Sequence, residues 1–103
     1  MSKKIDGILV PTKSKEFVDC NIIECEVGTT GHQGGDSGHG GRTYFKLQDL
    51  ASTDIRVRVN NDEWIELMSE GPIEIAFGGD CELDTFIDAL EFAAETLKAM
   101  KNR

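Results

Sequence analysis

The chain has 103 residues, 39% of them hydrophobic and 29% charged, with a formal net charge of −8. That length fits one domain over residues 1–103, and the balance is globular rather than disordered. No apolar run exceeds three residues, whereas a membrane span needs roughly 20 and a signal peptide core about 7–15, so neither is expected. The acidic balance opposes binding to polymeric nucleic acid. Three cysteines without paired spacing argue against a disulfide scaffold and for a reducing cytoplasm.

In chain order, Ile5–Val10 reads as a short strand that Pro11 should end. Residues 12–20 are polar and ambiguous. Asn21–Val27 reads as a strand with Ile23, Cys25 and Val27 on one face and Glu24 and Glu26 on the other. Residues 28–41 hold seven glycines in 14 positions and fit neither helix nor regular strand.

Arg42–Leu47 alternates, with Arg42, Tyr44 and Lys46 on one face and Thr43, Phe45 and Leu47 on the other. Asp54–Val59 alternates too, placing Arg56 and Arg58 outward, and Asn60-Asn61-Asp62 is a turn signal. Trp64–Met68 fits a short strand or a helical turn equally. Ile73–Phe77 is a further strand.

Gly78-Gly79-Asp80 breaks the pattern, with Asp80 a fair N-cap. Leu83, Phe86, Ile87, Leu90, Ala93, Ala94 and Leu97 then recur at helical spacing. A helix over about residues 80–101 follows, its first-turn acids and last-turn lysines suiting the helix dipole.

The fold class predicted is α+β: an antiparallel sheet of four to five strands with one long C-terminal helix packed on one face. Val57, Ile75, Phe77, Phe86 and Leu90 are the expected core. The opposite face should be polar, with Asp54, Arg56, Arg58, Arg42, Tyr44, Lys46, Glu24, Glu26 and Glu74 on it. One helix on one sheet makes a thin core, and Tyr44, Trp64 and Met68 lack obvious burial, so a homo-oligomer is expected.

Two features bear on function. Residues 16–97 carry a net charge of −14, and their only cations are Arg42, Lys46, Arg56 and Arg58. Such an island is either a salt-bridge partner or an anion site. The glycine-rich loop, 28–41, is costly to order and brings N–H groups together, which suits phosphate. The predicted ligand site therefore combines Gly34, Gly35, Asp36, Ser37, Gly38, His39, Gly40, Gly41 and Arg42 with Tyr44, Arg56 and Arg58 from neighbouring strands. Arginine gives bidentate anion contacts, and Tyr44 or His39 offers a ring for stacking.

Neither nucleotide fingerprint is present. His32, Asp36 and His39 have zinc-type chemistry but match no zinc spacing, so neither metal nor other cofactor is expected. Gly35-Asp36-Ser37-Gly38 resembles the nucleophile segment of chymotrypsin-like proteases. That fold needs about twice this length and distant His and Asp partners, so the match is rejected.

The stretch from Gly34 to Thr43, with Phe77-Gly78-Gly79-Asp80, resembles small uncharacterised bacteriophage proteins. The resemblance implies a sponge that sequesters a nucleotide signal of anti-phage immunity, of the anti-Thoeris or anti-CBASS kind, in the host cytoplasm. It carries no site residue over. The leading expectation is non-enzymatic binding of a small phosphorylated ligand such as a cyclic nucleotide. The alternative is an acidic protein–protein inhibitor or DNA mimic using Glu and Asp in 62–95. The third is a metal-dependent hydrolase using His32, Asp36 and His39.

Overall fold

The computed structural model describes residues 1–102. It contains β1 (Ser2–Ile5), β2 (Ile8–Val18), β3 (Ile22–Thr29), β4 (Arg42–Ala51), β5 (Arg56–Val57), β6 (Ile65–Glu66), α1 (Leu67–Glu70), β7 (Ile73–Gly78) and α2 (Asp80–Met100). A five-stranded sheet runs in the order β1-β2-β3-β4-β7, antiparallel throughout, while β5 and β6 pair separately. The fold is the α+β class expected, with the C-terminal helix against the sheet.

The N-terminal half departs from the sequence reading. Asp6-Gly7 is a two-residue hairpin turn with both φ positive, 52° and 78°, the geometry that matches the strands' twist. The apolar run Ile5–Val10 is therefore split between two strands. Pro11 does not stop β2, because it lies opposite Ser2 near the start of β1. The polar stretch beyond it pairs with β3 as far as Val18. Trp64–Met68 resolves into both forms considered, a strand pair at Ile65–Glu66 and one helical turn from Leu67.

On β3, β4 and β7 the two faces carry the residues that alternation assigned, but their burial is inverted; Asp54, Arg56 and Arg58, expected on the polar face, lie outside this sheet. The polar face is interior. On it Glu26 is fully buried, Tyr44 and Arg42 are buried, and Val10 of β2 is fully buried among them. Thr12 Oγ1 donates to Glu26 Oε2 at 2.6 Å, and Lys46 Nζ lies 2.7 Å from Glu24 and 3.3 Å from Glu26. The Thr12 hydroxyl, with Lys46 and Lys3, holds the Glu26 carboxyl below its usual range against the opposing effect of burial. Tyr44 Oη donates to Glu74 at 2.6 Å; burial, then Glu74, pushes the phenol up. Tyr44 thus has the intramolecular burial that the sequence did not reveal.

The apolar face is the more open one, although Thr43 on it is buried. Phe86 of α2 meets Phe77 at 4.5 Å and Phe45 at 5.5 Å between ring centroids. Beyond that cluster Val27, Ile75 and Leu90 are exposed, Leu90 at 41%. Val57 is half-buried and belongs to the separate β5–β6 pair. The expected core is therefore corrected: Phe77 and Phe86 form its centre on this face, while Ile75 and Leu90 lie at its rim. No α2 residue is buried, and from Glu91 onward every described side chain except half-buried Thr96 is exposed. No helix among the described residues is long and apolar enough to cross a membrane.

Candidate functional site

The glycine loop connects β3 to β4 and lies against the start of α2. Its amides already have an anion. Gln33 N–H and Gly34 N–H donate to the Asp80 carboxylate at 3.0 and 2.7 Å, and Gly41 N–H donates to it at 2.9 Å. Ser37 N–H donates to Glu82 at 3.2 Å. In return, Asp36 accepts from the Cys81 N–H at 3.0 Å, and Asp80 N–H donates to the Gly35 carbonyl at 2.8 Å. The loop and the helix N-terminus satisfy each other's orphan donors.

Three amides on one carboxylate have an electrostatic consequence. Hydrogen bonds from Gln33, Gly41 and Gly34, with His32 nearby, hold Asp80 down at about 2. Asp80 is consequently not the N-cap. Gly79 occupies that position, and the Asp80 side chain points back into the loop. The fit also explains Gly40. Its φ is +88°, and a Cβ there would run into the Gly35 carbonyl and the Asp80 carboxylate.

Arg42 closes the other side of the loop. Its Nη1 donates to the Gly40 and Gly41 carbonyls, each at 3.1 Å, and its Nη2 donates to the Gly38 carbonyl at 3.0 Å. Nε donates to Asp6 at 2.9 Å, in the β1–β2 turn. The guanidinium fork therefore organises loop carbonyls rather than facing outward. An external phosphate at this loop would have to displace Asp80 from its amides.

The other predicted residues divide into two groups. Asp36, Ser37 and the glycines share the clasp. His39 is exposed, with its backbone N–H on the Asp36 carbonyl. His32 Nε2 lies 2.9 Å from Asp84, which raises the imidazole's pKa. Cys81, through its thiol and its amide, holds Asp36 below its usual range. No group of three or more His, Cys, Asp or Glu side chains among the described residues could hold a metal ion. Tyr44 is buried on the polar face, so its ring is not open to a stacking partner.

Arg56 and Arg58 are elsewhere. The expected adjacency of 42–47 and 54–59 does not occur, because β4 is flanked by β3 and β7. Arg56 instead pairs with β6 and reaches Asp54 at 3.1 Å, with both side chains well exposed. The Arg58 guanidinium lies over the Trp64 ring, 4.5 Å from its centroid. Two open clefts of about 450 and 460 Å³ adjoin this segment. Arg56 and Asp54 line both, Trp64 lines one, and Glu66 lines the other. Sequence reasoning missed Trp64 as a stacking ring; its closeness to the two arginines was the available signal.

No family model, curated protein or solved structure compared with the chain matches it.

Proposed function

We propose that this protein is a non-enzymatic binder of a small phosphorylated ligand of nucleotide type, and that the ligand docks on the β5–β6 segment. The observation that carries the reading is Arg56, shared by two clefts, beside a tryptophan that is 57% exposed. Exposed ion pairs contribute only about 0–1 kcal/mol, so Arg56 exchanges Asp54 for a phosphate at little cost. A charge-assisted, bidentate contact then replaces a weak one. Trp64 supplies a face for a base, and Arg58 over its ring adds a second cation. Asp54 and Glu66 are acceptors for ribose hydroxyls. The glycine loop acts as scaffold in this reading.

Titration calorimetry with mono-, di- and cyclic nucleotides, followed by chromatography of the recovered ligand, tests it. One nucleotide is expected to bind with 1:1 stoichiometry per chain and return intact. An altered ligand indicates an enzyme, and no binding across the panel refutes the reading. A second reading has its own observation: Asp84, Asp88, Glu91 and Glu95 are exposed and follow one side of α2. Such a stripe suits an acidic inhibitor surface or DNA mimic, and competition with duplex DNA for a basic protein would reveal it.

A further inference from the structure

Beyond the Phe77–Phe86 cluster the apolar face lies open to solvent. A compact monomer of 11.3 kDa exposes about 5,700 Å². This chain exposes 7375 Å², an excess of about 1,600 Å², where a stable interface needs roughly 800 Å² per partner. Its radius of gyration is 15.2 Å, against about 13 Å for a compact chain of this length.

Part of the exposed apolar surface lies along α2 and the sheet beside it. Leu83, Ile87, Leu90, Ala94 and Leu97 form one stripe along α2, and Leu97 is 67% exposed. Leu83, Leu90 and Leu97 are spaced at sevens, the repeat of a helix that packs along another element. Between the stripe and the sheet lies an apolar cleft of about 230 Å³, with Val27 and Thr43 on the sheet side and Leu83, Ile87 and Leu90 on the helix side. On the same face β3 continues from Val27 through Cys25 to Ile23, and Ile23 pairs with Phe17 of β2, which is 51% exposed.

We propose that the occupant of this face is a second copy of the chain, in a two-fold dimer where each α2 lies on the other copy's sheet. Charge identifies the partner. Lys13 and Lys15 stand opposite Val27 and Cys25 on the same sheet face, and both are exposed. On α2, Asp84, Asp88, Glu91 and Glu95 run beside the apolar stripe. A partner helix that seats its leucines on Val27 and Phe17 brings its acids to Lys13 and Lys15. The chain carries both halves of that match, as an isologous contact requires.

Sedimentation equilibrium of the full chain at 10 µM tests this, with no nucleotide present. The expected result is a species of about 23 kDa, twice the 11.3 kDa chain. Leu97→Glu should sediment as a monomer with its circular dichroism unchanged, since that side chain is already exposed. Reversing Lys13 and Lys15 to Glu should weaken association about tenfold or more, and adding Glu91→Lys and Glu95→Lys should restore it. A wild-type monomer overturns the proposal, including one that binds a hydrophobic dye, which would mark the face as built for a different protein. A dimer indifferent to Leu97→Glu overturns it too.

Discussion

Replacing Arg42 by alanine separates a loop that is built from within from one that waits for a ligand. The guanidinium makes three contacts to loop carbonyls at 3.0–3.1 Å and one to Asp6 at 2.9 Å. Hydrogen bonds to charged groups contribute about 1.5–3 kcal/mol each. Two of the three carbonyl bonds share Nη1, and the freed carbonyls regain water, so the loop contacts together amount to about 2–4 kcal/mol. Asp6 is 70% exposed and adds no more than ~1 kcal/mol. At roughly 4–8 °C per kcal/mol for a domain of this size, a total of about 2–5 kcal/mol should lower the melting temperature by about 8–40 °C. Arg42→Lys should recover little of it, because an ammonium cannot span three carbonyls as the fork does. Differential scanning calorimetry gives the shift, and amide exchange across 33–41 shows whether the loss is local. A fall below about 8 °C, the most that an exposed ion pair of about 1 kcal/mol would produce, refutes the reasoning.

Other perturbations bear on the same architecture. Lys46→Met should destabilise the chain by about 3–5 kcal/mol, because it leaves Glu26 buried without its cation; in chemical denaturation, Lys46→Met with Glu26→Leu should recover most of that loss. Asp80 has a depressed folded value, so its contribution is present above the unfolded value near 3.9 and is lost as pH falls through about 2. The protection of the Gln33, Gly34 and Gly41 amides, measured against the intrinsic exchange rate at each pH, should accordingly fall between about pH 4 and 2, ahead of global unfolding. Gly40→Ala should lower the thermal transition and destabilise by more than the ~1 kcal/mol at the centre of point-mutation effects, since a Cβ there meets backbone and the Asp80 carboxylate.

The helix, the glycine loop and the alternation of β3, β4 and β7 were legible because each follows from local spacing. The Asp6-Gly7 hairpin is equally legible in principle, since Asp-Gly is a two-residue turn signal, but Pro11 four residues on argues locally against a strand that continues past it. Burial was not legible. Alternation assigns Glu26 and Tyr44 to one face and Val27 to the other, but which face becomes the interior depends on how β2 curls over the sheet. The loop's chemistry was half readable: its amides do bind an anion. That anion is Asp80, whose place at the helix start marks it in the sequence only as a cap. Arg56 and Arg58 were assigned to the loop because strand adjacency is a long-range property, and the strand pair that carries them joins β6 instead.

The most direct test of the functional account is the fluorescence of Trp64, the single tryptophan of the chain. The ring sits beside Arg56 and under Arg58, so a base that stacks there should quench its emission saturably. One nucleotide of the panel is expected to do so, and Arg56→Ala should weaken this binding about tenfold while leaving the melting temperature unchanged. Emission indifferent to every nucleotide, or a nucleotide that binds with the same affinity to Arg56→Ala, would contradict it.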